Sequence, residues 1–134
     1  ALILLLDTLP RHIWRGTARA CAQDDKALAV TLQGLQQGAD ATLTVLERWF
    51  YYLPLTRCES AAIQEEAVAA FRRLPEESSD TCRPMLQSAL QHAIDQAQII
   101  QRFGRFPQRN ALLGRRSTGV EQQWLREQAH VSPP

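Results

Sequence analysis

The chain has 134 residues, 45% of them hydrophobic and 22% charged, with a formal net charge of +1. That length supports one domain, residues 1–134, with a core large enough to need no staples, and the near-neutral balance leaves no global field to recruit nucleic acid or an anionic membrane. Three widely spaced cysteines, Cys21, Cys58 and Cys82, without a CxxC pair, argue against a disulfide framework and a structural zinc site.

A reducing cytoplasm is the compartment this cysteine usage suggests. The opening run "ALILLL" is too short to cross a membrane and carries no cleavage-site pattern, so no membrane partner is expected. It starts without methionine inside an apolar stretch, as expected of a chain whose first helix continues upstream. "LILLLDTL" is apolar nearly all round, like a buried helix, and Pro10 is expected to close it by keeping Leu9 out of the α region.

Helical spacing then recurs throughout, and no stretch alternates as a strand would. "DDKALAVTLQGLQQG" sets Leu28, Leu32 and Leu35 on one stripe, with acids at its start and Gly38 placed for a left-handed cap. "LTVLERWFYYLP" carries Leu43, Leu46, Trp49, Phe50 and Leu53, with Pro54 as its expected stop. Four rings on one turn, Trp49 to Tyr52, cannot share one core, so Tyr51 or Tyr52 should reach a polar partner or an interface. "CESAAIQEEAVAAFRRLP" turns Ile63, Ala67, Ala70, Phe71 and Leu74 to one face, and Thr56 with Glu59 has capping-box spacing.

"PEESSDTC" is the one long polar break. The longest helix follows: Pro84 fits its first turn, Leu86, Leu90, Ala93, Ala97 and Ile100 form its stripe, and Gly104 ends it. Thr118 and Glu121 form a second capping box that opens "VEQQWLREQ", and "HVSPP" is expected to fray. Six helices with short connections define an all-α fold of antiparallel helical hairpins.

Chemistry concentrates at two corners, "LPRHIWRGTARA" and "FPQRNALLGRRST", which share an order of apolar residue, proline, arginine, Asn or His, and glycine. Facing each other, residues 10–17 and 103–116 would line one pocket. Its candidate ligand-binding residues are Arg11, His12, Arg15, Thr17, Arg105, Arg109, Asn110 and Arg115. Guanidinium forks suit carboxylate or phosphate, Trp14, Phe103 and Phe106 could supply an apolar wall, and the expected function is a binding module for a small anionic or peptide ligand. The competing account has the same arginines tie loops to Asp7, Glu47, Glu59 and helix-end carbonyls.

Other chemistries find less footing. The histidines are far apart, and Cys58 beside Glu59 has no base at hand, so no catalytic residue is assigned. His92 with Asp95 is a single pair without further ligand spacing; neither a metal nor another cofactor is expected. An enzyme using the same pocket, or a nucleic-acid surface built on the arginines and phenylalanines of 102–116, is the alternative function. An exposed stripe on the first helix would favour a homo-oligomer.

Three pieces, "LDTLPRHIWRGTARACAQD" (6–24), "ERWFYYLPLTRCE" (47–59) and "FGRFPQRNALLGRRST" (103–118), together resemble a bacterial family, domain of unknown function 924. The resemblance implies a tetratricopeptide-like right-handed helical array and a further helical segment upstream, and it assigns no activity. Against the family pattern, Thr8 stands for Gln, His12 for Asn, Arg57 and Cys58 for His and Ser, and Gln108 for His.

Overall fold

The computed structural model describes residues 1–131, and every regular element among them is helical. A π-helical turn, Leu4–Thr8, runs directly into α1 (Leu9–Ile13). Then follow α2 (Asp24–Gln36), α3 (Val45–Thr56), α4 (Ala61–Glu77), α5 (Arg83–Phe103) and α6 (Gly119–Val131), with short 3-10 turns at three of the corners. Val131 ends α6, and residues 132–134 of the expected frayed tail lie outside the described residues.

Pro10 does not close the first helix. The Leu9 N–H donates to the Leu4 carbonyl, five residues back, and the helix continues through Pro10 to Ile13. Proline has no N–H and its ring crowds the carbonyl four residues earlier, so widening the preceding turn is how a helix carries it onward. That turn also points Asp7 inward, where it is fully buried. The first helix is not buried all round: Leu5 and Ile13 are 59% and 64% exposed, while Ile3 and Pro10 are covered.

Pro54 likewise sits inside α3, which runs on to Thr56, and Pro54 is itself buried. The Thr56–Glu59 capping box does not form, because α4 begins only at Ala61 with Ser60 as its N-cap. Thr56 Oγ1 instead donates to the Leu53 carbonyl at 2.7 Å, which leaves Glu59 free to reach elsewhere. The boxes that do form are Thr44–Glu47, which opens α3, and Thr118–Glu121, which opens α6. Gly38 and Gly104 both take the left-handed conformation expected of them.

The core is the α3–α4–α5 hairpin pair: Tyr52, Leu55, Ala67, Phe71, Leu74 and Leu86 are buried together. Connections of four and five residues (57–60, 78–82) fold α4 back on α3 and α5 back on α4. Helix α2 approaches α3 through its small residues. Ala27, Thr31 and Gly34 are fully covered, whereas the leucine stripe Leu28, Leu32 and Leu35 is only partly so. Thr31 Oγ1 donates to the Tyr51 carbonyl at 2.9 Å, and Tyr51 lies against Gly34 so closely that a Cβ there would overlap its hydroxyl oxygen. Tyr52 is the ring that finds a polar partner, donating to Asp40 Oδ2 at 2.6 Å. Burial, aided by that bond, pushes its phenol pKa up to about 12. Among the described residues, no helix is long and apolar enough to cross a membrane.

Candidate functional site

The three arginine-bearing stretches meet at one end of the core and organise into two ion-pair networks. The first grows from Asp7. Its carboxylate accepts from Arg11 Nη1 at 3.1 Å and from Arg57 Nε at 3.2 Å. Arg11 then forks onto Asp24, with Nη1 and Nη2 each 2.7 Å from a carboxylate oxygen. Arg109 approaches the same Asp24 at 3.8 Å and lies over the Phe106 ring, 4.6 Å from its centroid. Burial alone would lower the Arg11 pKa, but the Asp24 bonds and the Asp7 charge carry it above its ordinary value. Arg109 lacks a close carboxylate, and burial holds its pKa below the ordinary one.

The second network grows from Glu59, freed by the failed cap. It accepts from Arg115 Nη1 at 2.9 Å and Nη2 at 3.2 Å, and from the Phe106 N–H at 2.5 Å. Arg115 also donates to Asn110 Oδ1 at 3.0 Å and to the Phe106 carbonyl at 3.0 Å. Asn110, buried, passes the chain on through Nδ2 to Glu121 at 3.2 Å. Arg105 closes it with Nε and Nη2 on Glu121 at 3.0 and 2.8 Å. Burial alone would raise Glu59, yet Arg115 and the Phe106 N–H bring it below its ordinary value. Arg105 and the Thr118 N–H hold Glu121 below its ordinary value as well.

These networks separate the candidate residues. Arg105, Arg109, Asn110 and Arg115 stitch the 103–118 corner to α2, α6 and the α3–α4 connection, and Arg11 is shared between Asp7 and Asp24. Thr17 is exposed and donates to the Trp14 carbonyl at 2.7 Å. His12 and Arg15 are exposed on α1 and just after it, and Arg15 pairs with no carboxylate among the described residues. Glu47 holds no arginine at this corner, because its side chain caps α3.

Two cavities flank the first network, and they share Arg57. One, of about 440 Å³, is lined by Thr8, Arg11, His12, Arg15, Phe50 and Arg57, among others. The other, of about 220 Å³, holds Cys21, Asp24, Asp25, Cys58, Glu59 and Arg109. In the smaller one burial pushes the Cys58 thiol up, which keeps it protonated rather than nucleophilic. No group of three potential metal ligands gathers among the described residues. In the larger one, Thr8 Oγ1 is buried without a hydrogen-bond partner among the described residues. Arg57 spends Nε and Nη2 on Asp7, and its Nη1 makes no hydrogen bond among them.

Sequence reasoning did not name Asp24, Arg57 or Glu121 as members of this assembly. Arg57 sits fifty positions from Asp7 and only the tertiary fold joins them. Asp24 had a sufficient role as a first-turn acid of α2, and Glu121 as half of a cap. The spacing of Asp7 and Arg11, four apart on one helix face, was a usable signal.

The arrangement defines an all-α protein of packed helical hairpins whose corners are tied by arginine–carboxylate pairs. More particularly, the chain belongs to the family described as bacterial protein of unknown function (DUF924), whose model matches residues 1–129. It is similar to a solved protein of unknown function from Agrobacterium tumefaciens, with 36% identity and a TM-score of 0.77 over 94% of this chain. The chain spans 65% of that protein's length. No protein with a curated description matches it.

Proposed function

We propose that this protein is a binding module for a small anionic ligand, seated in the 440 Å³ cleft between α1 and α3. The supporting observation is an excess of unspent guanidinium there. Three arginines line the cleft, Arg11, Arg15 and Arg57, and the carboxylates bonded to them are two, Asp7 and Asp24. Arg15 pairs with no carboxylate among the described residues, and Arg57 Nη1, which makes no hydrogen bond among them, is open to a further acceptor. Asp7 lies fully buried beneath, so it neutralises from behind without presenting a carboxylate to the cleft. A carboxylate or phosphate accepting from Arg15 and Arg57, with His12 at the rim, would complete the balance with charge-assisted bonds. The second network is balanced, two arginines for two carboxylates, and gives Arg105 and Arg115 a tying role rather than a phosphate-reading one.

Arg15 is the residue to test, since removing it breaks no ion pair of the fold. Millimolar acetate or inorganic phosphate should raise the melting temperature of the parent, reaching about 2.7 kcal/mol of stabilisation at a hundredfold excess over Kd. Arg15→Ala should melt like the parent without ligand and lose most of the shift. A parent indifferent to every anion, or an Arg15→Ala protein that keeps the full shift, would remove the proposal.

A further inference from the structure

Beside the cationic cleft lies a third cavity of about 430 Å³, and the two share Phe50, Leu53 and Arg57. These shared residues set the two compartments side by side. The far compartment is lined by Trp49, Phe71, Met85, Ser88, Ala89 and His92. Met85, Ser88, Ala89 and His92 recur at three- and four-residue spacing, one face of α5, and oppose Trp49, Phe50 and Leu53 of α3. Phe50 is 40% exposed and Met85 43%, large apolar side chains of this compartment left open to water. Both compartments have volumes ordinary for small-molecule sites.

We infer that the ligand is an amphipathic monocarboxylate, its head in the arginine compartment and an unbranched acyl chain along the Trp49–Met85 compartment. The inference rests on the anion reading of the cleft and adds a chain to it. Charge complementarity fixes which end takes the carboxylate. The far walls decide between an acyl chain and a peptide. They are helix faces, whose backbone groups are spent within the helices apart from the Phe50 carbonyl, which Pro54 deprives of its usual donor. Of the polar side chains there, Ser88 donates to the Pro84 carbonyl at 3.2 Å and His92 lies 3.4 Å from Gln96 Nε2. Beyond the shared Arg57, a peptide laid along this arm would bury amides with few groups to meet them, a cost that a methylene chain does not carry.

The test is calorimetric titration of the full chain with acetate, butanoate, hexanoate, octanoate and 1-octanol. Affinity should rise about threefold to fourfold for each buried methylene, and octanoate should bind well ahead of 1-octanol. Met85→Gln, an uncharged change at an exposed position, should flatten the chain-length dependence. Arg15→Ala should weaken every carboxylate by a similar factor. If acetate and octanoate bind alike, the acyl chain is overturned and the anion cleft stands. If 1-octanol matches octanoate and Arg15→Ala changes neither, the cationic end has no part and the anion reading falls instead. A leucine-terminated peptide that displaces octanoate at lower concentration overturns the acyl assignment in favour of a peptide carboxylate.

Discussion

Asp7 shows most directly how one side chain holds this corner. It is fully buried, and it faces Arg11 and Arg57, whose side chains are 19% and 20% exposed. Replacing it with asparagine keeps the volume and removes the charge. Arg11 retains Asp24, but Arg57 then has no carboxylate, and uncompensated charge in a partly buried site is the expensive case. Asp7→Asn should therefore cost about 3–5 kcal/mol, read as a lower urea midpoint at unchanged slope. Adding Arg57→Met should recover part of that loss, since the stranded charge goes with it. An Asp7→Asn protein as stable as the parent would mean that the pair contributes nothing net. Gly34 makes a different kind of point. Its backbone is ordinary helix, so its role is the absence of a Cβ where the Tyr51 phenol rests. Gly34→Ala should raise helix propensity and still destabilise, by about 1–3 kcal/mol of overpacking in thermal melts. A melt at or above the parent's temperature would show that Tyr51 swings away freely.

Among the elements, three Thr-x-x-Glu patterns behave in two ways. Thr44–Glu47 and Thr118–Glu121 close reciprocal caps, while Thr56–Glu59 does not. Local spacing is the same in all three, so the difference lies in what competes for the glutamate. Glu59 has a guanidinium and a backbone N–H waiting across the corner, and the chain around it stays unwound until Ala61. Thr118→Ala and Thr44→Ala should each cost about 1 kcal/mol in chemical denaturation, whereas Thr56→Ala should not act through a cap. The same competition explains how far the fold could be read beforehand. Helix number, the α4 and α5 stripes and the glycine caps follow from periodicity and backbone sterics, which are local. Both proline errors had one source: Pro10 and Pro54 lie in helices that tertiary packing carries past them, in one case through a π turn. The site was legible as a set of arginines meeting at a corner. Which of them are spent was not, because Asp7–Arg57 and Glu59–Arg115 join residues 50 and 56 positions apart.

For the molecule as a whole, the buried charges and the buried phenol set opposite limits on stability. Glu59 and Glu121 titrate below their ordinary range in the fold. A depressed carboxylate stabilises fully above its unfolded value, about 4.3, and that contribution disappears as pH falls through the lower folded value. Acid should therefore loosen the 103–118 corner and α6 together. In urea titrations below about pH 4, the decline should be shallower for a Glu59→Gln, Glu121→Gln double variant, which starts less stable at neutral pH. Tyr52 works from the other side. Its phenol is raised to about 12 in the fold, against about 10 when unfolded. A raised acid favours the fold while protonated, so its contribution is complete below pH 10 and is lost as pH climbs toward 12. Tyr52→Phe should sacrifice about 1.5–3 kcal/mol at neutral pH, the value of a hydrogen bond to a charged group, and flatten the alkaline limb in that window. A variant whose alkaline limb still matches the parent's would show that the Asp40 bond does not control the titration, and that alkaline unfolding is led by another group.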